Sequence, residues 1–303
     1  MQRFALILVL AVSLPAVAEA QNISKGASRP FLCCDHNGDQ VCRVSLSGAI
    51  EWRMEAKRPQ DCWLLPNGNV LFCHQSGAIE ADRDRNIVWQ YQAPKGVECH
   101  ACQPLSDGKV MVVEGGTSRI VEVDRDEKIV KEIPLKTKTT NAHNQFRGTR
   151  KLPNGHYVVC FKGEQKVVEI DGDGNVVREV AVPGDVHAAV TLPGGKLLIA
   201  CGDGHKVVEV DSTGKTVWEL NENDVLPDNP LRLMAGLQRL PNGNTLFCNY
   251  LGHGNIGKQP MVFEITPDKK VVWQFADHEH FKTINQIQVL DVSGDVTKGE
   301  ILR

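Results

Sequence analysis

The sequence predicts an all-β protein: a six-bladed β-propeller of four-stranded antiparallel blades. The first observation is a Leu-Pro-Asn-Gly-type turn that recurs every 40–50 residues, the length of one four-stranded blade. Its copies begin at Leu65, Leu105, Leu152, Leu192 and Leu240, with a degenerate copy at Leu290. The second observation is a run of alternating residues around an Asp-x-x-Gly turn, as in 207–218, which is typical of a β-hairpin. Both patterns occur six times, so we expect six blades.

The alternating runs predict the outer two strands of each blade. They span residues 42–54, 77–91, 119–133, 166–180, 206–220 and 261–275. A tryptophan occupies the equivalent place in four of these runs, at Trp52, Trp89, Trp218 and Trp273. Lys131 and Arg178 stand there in the other two. We expect the indole rings to fill gaps between neighbouring blades.

The Leu turns predict the inner hairpins, and the count of strands predicts how the ring closes. The first outer hairpin has no complete inner hairpin before it, so residues 284–289 are expected to return and complete the first blade. Its second strand would come from either residues 31–34 or residues 300–303. Such pairing of the N- and C-terminal strands removes exposed sheet edges.

The N-terminal residues predict export. Residues 1–20 contain Arg3, an apolar stretch and an Ala-Glu-Ala end, which is typical of a secretory signal peptide. Residues 21–303 would then form a single propeller domain in a periplasmic or extracellular location. No later apolar run is long enough for a membrane helix. The formal net charge of −3 gives no indication of nucleic-acid binding, and we expect a monomer.

All ten cysteines follow the predicted signal, in a compartment that permits disulfides. Cys73, Cys160 and Cys248 share one repeat position in three different blades, which favours packed core residues over bonded pairs. Cys62 facing Cys73 across one inner hairpin is the alternative that the spacing leaves open.

Histidines concentrate on one predicted face of the ring. Nine of the ten fall in loops, crossings or strand starts on the same side, and His156 alone belongs to the other face. Histidine is the side chain best suited to proton transfer or metal binding near neutral pH. This face is therefore the candidate functional face.

Aligning the blades by their turn leucine places polar residues at the central channel. Five residues before the leucine, where each innermost strand begins, stand Gln60, His100, Arg147, His187, Ala235 and Asn285. Nine residues after it, at the end of the second strand, stand His74, Glu114, Phe161, Cys201 and Asn249. Core-facing strands would carry Val or Ile there, so a polar funnel is expected. A merely hydrated channel is the structural alternative.

The residue types constrain what the funnel could bind. An arginine with histidines and amides suits a carboxylate, sulfate or sugar acid, because a guanidinium matches oxyanions with two donors. We predict His100, His187 and Arg147 as catalytic residues, with His100 or His187 as base or nucleophile. The predicted ligand-binding residues are Gln60, His74, Glu114, His143 and Asn285. As an alternative, His74, His100, His187 and Glu114 could hold a divalent metal that activates water.

The repeat wording resembles the quinoprotein-like (PQQ-like repeat) β-propeller superfamily. Leu240-Pro241-Asn242-Gly243-Asn244-Thr245-Leu246 is especially similar to arylsulfotransferase-like propellers. That resemblance implies a catalytic histidine assisted by a histidine and an arginine in the channel, a role that could map onto His100, His187 and Arg147. No assembled site for PQQ and calcium is recognisable, so we expect no PQQ cofactor.

These observations predict an exported propeller that binds a small polar or anionic ligand, such as a carbohydrate derivative or an aryl ester. It could catalyse transfer, hydrolysis or elimination on that ligand. The alternative is a non-catalytic scaffold that binds protein or glycan through loops such as 221–231 and 249–260. A third hypothesis is a quinone-dependent periplasmic redox protein.

Overall fold

Six antiparallel sheets follow one another round a ring, as the repeats predict. The computed structural model describes residues 25–26, 28–226 and 228–303. The prediction of a six-bladed propeller is confirmed. The predicted signal peptide, residues 1–20, lies outside the described residues.

The strands are short, and four of them form each blade. In chain order they are β1 (Lys25–Gly26), β2 (Phe31–Asp35), β3 (Gln40–Val44), β4 (Ile50–Glu55), β5 (Asp61–Leu64), β6 (Val70–His74), β7 (Gly77–Ala81), β8 (Ile87–Gln92), β9 (Glu98–Pro104), β10 (Val110–Gly115), β11 (Arg119–Val123), β12 (Ile129–Pro134), β13 (Phe146–Lys151), β14 (Tyr157–Phe161), β15 (Lys166–Ile170), β16 (Val176–Ala181), β17 (Ala188–Leu192), β18 (Lys196–Ala200), β19 (Lys206–Val210), β20 (Thr216–Asn221), β21 (Leu233–Arg239), β22 (Thr245–Tyr250), β23 (Val262–Ile265), β24 (Val271–Phe275) and β25 (Ile284–Val289).

Helical structure in the described part of the chain is confined to single turns. They are the α-helix α1 (Ala142–Gln145) and three 3₁₀ turns at Lys162–Glu164, Pro193–Gly195 and Val296–Lys298. In the described ranges, no helix has the length and apolar character needed to cross a membrane.

The first blade closes the ring. Its strand order is β25-β2-β3-β4, so the C-terminal strand β25 lies innermost and pairs with the N-terminal strand β2. Residues 31–34 therefore supply the second strand, and residues 300–303 do not. The other blades follow in sequence as β5–β8, β9–β12, β13–β16, β17–β20 and β21–β24. The two-residue strand β1 pairs with the outer edge of β24.

The tryptophans tie neighbouring blades together, as predicted. Trp89 is buried, and its indole Nε1 donates a 2.8 Å hydrogen bond to the Asp124 carbonyl in the next blade. Trp52 and Trp218 make the same kind of bond to carbonyls in the blades that follow them. Arg178 replaces the indole in the fourth blade, where its guanidinium donates to two carbonyls of the fifth.

The cysteines are all buried free thiols. The proposed facing of Cys62 and Cys73 is wrong, because the β5–β6 register pairs Cys62 with Phe72 and Cys73 with Asp61. Neighbours on a strand point to opposite faces, so a shift of one residue separates the two thiols. The prediction of packed core residues agrees with their burial.

Bulges mark the point where the innermost strands reach the channel. The pairing register shifts near the start of β9, β13, β21 and β25, at His100, at Arg147 and Gly148, at Ala235 and Gly236, and at Asn285. A bulge turns a side chain out of the regular alternation. Gly148 is required for close approach, since a Cβ there would lie 3.0 Å from the His187 carbonyl oxygen.

The channel is closed at its other end, three residues farther along the inner strands than the bulges. The side chain of Arg303 is fully buried, and its guanidinium carbon lies 4.1 Å from the centre of the Trp63 ring. Arg303 donates to Asp61 at 3.2 Å, and the chain before it forms a bridge between Leu302 and Arg239. The Arg150 guanidinium also bonds Asp61, at 2.7 Å. Ion pairs and cation–π contacts hold this end together, while the enclosed Nε of Arg303 has no hydrogen-bond partner.

Candidate functional site

The histidine-rich face contains a cavity at the centre of the ring. The cavity has a volume of about 90 Å³ and opens to solvent. It is lined by His36, Gln60, His143, Arg147, Lys162, His187, Asp203, Leu233, Ala235, Tyr250, His253 and Asn285. We call this cavity the funnel. Five of the eight predicted site residues line it: Gln60, His143, Arg147, His187 and Asn285.

Arg147 is the buried charge of the funnel, with 6% of its surface exposed. Its Nη1 donates to the carbonyl oxygens of His143 and Phe146 at 2.6 and 2.9 Å. Its Nη2 lies 3.0 Å from His143 Nε2. None of the described carboxylates forms an ion pair with this guanidinium. Burial therefore lowers the pKa of Arg147 to about 10, although the more distant Glu98 and Asp185 act in the opposite direction.

His143 connects this guanidinium to a carboxylate. An arginine can only donate, so His143 Nε2 must accept, and the ring proton must sit on Nδ1. That Nδ1 lies 2.9 Å from Glu98 Oε2, in position to donate. Burial, followed by the charge of Arg147, lowers the pKa of His143 below its usual value. The contact thus fixes a neutral imidazole of known tautomer between Glu98 and Arg147.

His100 lies beside this chain of contacts, and its side chain is 1% exposed. Its ring centre is 5.5 Å from that of His143, and its Nε2 is 3.3 Å from Glu98 Oε2. Neither ring nitrogen has a hydrogen-bond partner of good geometry. Burial, with help from Arg147, lowers the pKa of His100 to about 3. His100 and then His143 hold the pKa of Glu98 at about 2, and the 2.9 Å contact from His143 is the better formed.

His187 lies across from Arg147 on the next inner strand. Its Nε2 is enclosed and has no hydrogen-bond partner. Burial and the positive charge of Arg147 hold the pKa of His187 well below its usual value. At neutral pH this side chain is an uncharged imidazole with an unused ring nitrogen.

An amide cluster forms the side of the funnel made by the first two blades. Gln60 Nε2 lies 3.2 Å from His36 Nδ1, and Asn285 Nδ2 lies 3.3 Å from the Pro59 carbonyl oxygen. The amide oxygen of Asn285 is enclosed and accepts no hydrogen bond. Buried polar atoms normally have partners, so this side also lacks a hydrogen-bond donor.

The sixth blade supplies an apolar wall made of Leu233, Ala235 and Tyr250. His36 and His253 contact the Tyr250 ring edge-on, with ring centres 5.9 and 6.0 Å away. Gly252 makes room for this ring, since a Cβ there would lie 2.2 Å from a ring carbon. The funnel is therefore cationic on one side, amide-lined on another and apolar on the third.

Glu114 and His74 do not line the funnel, and placing them there was wrong. Both oxygens of Glu114 are used between blades: one accepts from the Tyr91 hydroxyl, the other from Thr117 and Arg119 at 2.6 Å each. His74 contacts Ser76 beside its own strand. The residues that follow the predicted row along their strands, Lys162 and Tyr250, face the cavity instead. The row was shifted by one residue, which reverses the side of the strand.

The geometry also tests a metal site. The predicted set of His74, His100, His187 and Glu114 is not brought together; Glu98, His100 and His143 are the group whose ligand atoms lie within 4.8 Å of one another. A metal on His143 Nδ1 would place the proton on Nε2, which Arg147 already uses as an acceptor. A buried guanidinium would also repel a dication. This arrangement favours an anion over a metal.

The sequence missed Glu98, Lys162, Asp203 and Tyr250 as residues of the site. Glu98 could have been found, because it lies two residues before His100 on β9 and strand side chains alternate. Lys162 binds Asp185 at 3.0 Å, so its charge is partly compensated.

A family model described as Mal s 1 allergenic protein-like matches residues 43–222, more than half of the chain. The chain belongs to this family. The family match leaves the predicted resemblance to PQQ-like repeats unconfirmed. No curated protein matches the sequence.

Solved structures agree on the fold. A protein of unknown function from Bacteroides caccae is 28% identical, with a TM-score of 0.78 over 86% of this chain and 98% of that one. A catalytically inactive virginiamycin B lyase from Staphylococcus aureus, solved with quinupristin, has 13% identity and a TM-score of 0.60 over 86% and 89%. A chain of the nidogen/laminin complex has 11% identity and a TM-score of 0.62 over 86% and 97%. The last two show similarity of fold alone.

Proposed function

We propose that the funnel binds a small ligand through an oxyanion that pairs with Arg147. The observation that carries this proposal is a buried guanidinium whose bonding partners are all neutral. A buried charge costs several kcal/mol unless it is paired, and the described residues offer Arg147 no direct ion pair; Glu98 and Asp185 act on it only from a distance. A ligand oxyanion would supply the missing partner.

The donors left on Arg147 have the geometry that a carboxylate needs. A guanidinium has five N–H donors, and three are used by His143 and Phe146. The two that remain are the Nε hydrogen and one hydrogen of Nη2. Two parallel donors on one edge form the two-pronged contact that carboxylates and other planar or tetrahedral oxyanions accept.

Binding of benzoate and benzamide tests this proposal, because the two probes share a shape and differ in charge. Thermal unfolding and isothermal titration calorimetry should show binding of benzoate and little binding of benzamide. A ligand that binds only the folded state adds about 2.7 kcal/mol at one hundred times its Kd. Acetate, sulfate and glucuronate extend the panel to other oxyanions.

The Arg147→Gln variant locates the binding. Loss of a charge-assisted contact should weaken benzoate binding by roughly 10- to 100-fold. The matched control is Arg125→Gln, which changes the net charge equally at a half-exposed arginine paired with Glu80. Equal affinity in wild type and Arg147→Gln, or no binding of any anion to wild type, would overturn the proposal.

Catalysis on the bound ligand is a second candidate function, favoured by His187. Its enclosed Nε2 has no hydrogen-bond partner, and its lowered pKa keeps the ring neutral, as a base requires. The lyase similarity and the arylsulfotransferase-like wording both fit such a role. Release of 4-nitrophenol from its sulfate and carboxylate esters, compared between wild type and His187→Gln, tests transfer and hydrolysis. Equal release by the two proteins would remove His187 from any such reaction.

A further inference from the structure

The three sides of the funnel are chemically different, and together they constrain more than the charge of the ligand. Arg147 offers two donors on one side. Asn285 offers an acceptor without a donor on another, and the sixth blade offers an apolar wall around Tyr250. An acceptor that lacks a donor requires a ligand that donates hydrogen bonds, which a bare carboxylate or sulfate cannot do.

We infer that the ligand is a hydroxylated cyclic carboxylate, that is, a sugar acid of the uronate class. This inference rests on the proposed function, since it uses Arg147 for the carboxylate. Ring hydroxyls would donate to Asn285 Oδ1 and share a hydrogen bond with His187 Nε2, two enclosed atoms without a partner whose residues line the funnel. Each of these atoms would regain the hydrogen bond that burial otherwise denies it.

The apolar wall suits the ring of such a ligand. A pyranose presents C–H groups on its faces and hydroxyls at its edge, so one face can cover Tyr250 and Leu233 while the edge reaches the polar sides. The edge-on contacts from His36 and His253 hold the Tyr250 ring in place. Binding pockets commonly combine such an aromatic surface with a few convergent polar groups.

Asp203 limits the charge of the ligand. Its carboxylate lines the funnel and is about half exposed, with His253 3.9 Å away as the nearest ion-pair partner. A carboxylate at the funnel wall disfavours a second negative charge on the ligand. It also provides one further acceptor for a hydroxyl group. A monocarboxylate therefore fits better than a dicarboxylate or a doubly charged ester.

Three probes of similar size separate the contributions. Glucuronate has the carboxylate and the hydroxyls, glucose has only the hydroxyls, and cyclohexanecarboxylate has only the carboxylate. Calorimetric titration of the wild-type chain should give the tightest binding for glucuronate, at least roughly tenfold tighter than cyclohexanecarboxylate, because two neutral hydrogen bonds contribute several-fold each. Glucose should bind more weakly than both.

Variants then assign the hydroxyl contacts. Asn285→Leu and His187→Phe should each weaken glucuronate binding several-fold and leave cyclohexanecarboxylate binding nearly unchanged. His156→Gln is the control, because His156 bonds Glu169 on the opposite face. It should leave the ratio of the two affinities unchanged.

The possible failures are distinguishable. Cyclohexanecarboxylate binding as tightly as glucuronate would overturn the sugar-acid inference while leaving Arg147-dependent anion binding intact. Glucuronate preference that survives in both Asn285→Leu and His187→Phe would overturn the assignment of the hydroxyl contacts. Absence of anion binding altogether would remove the proposed function itself. The ratio of the glucuronate and cyclohexanecarboxylate affinities is measured on the wild-type protein. It therefore tests the inference even if a variant fails to fold.

Discussion

Arg147 and Arg150 lie three residues apart on β13, both are buried, and their surroundings are opposite. Arg150 makes two hydrogen bonds to the Asp61 carboxylate, at 2.7 and 3.3 Å, and its guanidinium carbon lies 4.8 Å from the Trp63 ring centre. Arg147 bonds two carbonyls and a neutral imidazole. The paired arginine stabilises the closed end of the channel. The unpaired one lines the open funnel, where a ligand could complete it.

Enclosed polar atoms without a partner occur at both ends of the channel, so the ion pairing of the two arginines, not the number of such atoms, distinguishes the ends. At the closed end, the side chain of Gln103 bonds both the N–H and the carbonyl of Lys151 in the next blade, at 2.8 and 3.2 Å. At the open end, His187 Nε2 and Asn285 Oδ1 have no partner. At the closed end, Arg303 Nε and Gln238 Nε2 also lack partners, so the argument for binding rests on the two atoms whose residues line the open cavity.

The largest effect is expected from Asp61→Asn. This change leaves the buried Arg150 and Arg303 without their shared carboxylate. Loss of one partner from a buried ion pair typically costs about 3–5 kcal/mol. The free energy of unfolding, measured by urea denaturation, should fall by that amount. A loss below about 1 kcal/mol would mean that the closed end does not depend on ionic pairing.

For the residues beside the funnel, we expect a dependence of the free energy of unfolding on pH. The folded-state pKa of His100 is about 3, against an ordinary value near 6.5. Between these values the unfolded chain binds a proton that the folded chain does not, so stability falls as the pH decreases from 6.5 towards 3. His100 alone contributes a slope of up to about 1.4 kcal/mol per pH unit, and His187, whose pKa is also lowered, adds to it.

Glu98 and His100 affect the free energy of unfolding in different ranges of pH. The pKa of Glu98, about 2, is lower than the ordinary 4.5, so its own contribution is lost only below pH 4.5. The His100→Gln variant should therefore flatten the dependence of the free energy of unfolding on pH between 6.5 and 4.5. Urea denaturation at several pH values in this range measures it. Identical slopes in both proteins would show that His100 is not a buried neutral imidazole.

The smallest change in stability is expected from Arg147→Met. Removal of an uncompensated buried charge is favourable, and the loss of its bonds to two carbonyls is unfavourable. The free energy of unfolding without ligand should stay within about 1 kcal/mol of wild type. The matched change Arg150→Met should cost about 3 kcal/mol, because it breaks the pair with Asp61. If both variants lose the same stability, the distinction between the two arginines fails.

The site was partly predictable because the inner strands repeat. The row was found by placing residues at equivalent positions, and the structure brings all of it except His100 to one cavity: Gln60, Arg147, His187, Ala235 and Asn285. The row on the second strands failed. His74 and Glu114 do not line the funnel, whereas Lys162 and Tyr250, the neighbours of Phe161 and Asn249, do. A shift of one residue cannot be detected from residue type when both positions are polar or mixed.

The sequence by itself determined the blade count, the outer hairpins and the return of residues 284–289, because turn spacing and strand alternation are local properties. Only the tertiary structure decided that residues 31–34 close the ring and that Arg150 meets a carboxylate while Arg147 does not. Asp61 lies 89 residues from Arg150 along the chain. Whether a buried charge is paired depends on such distant neighbours, and it is this pairing that separates the structural end of the channel from the candidate binding end.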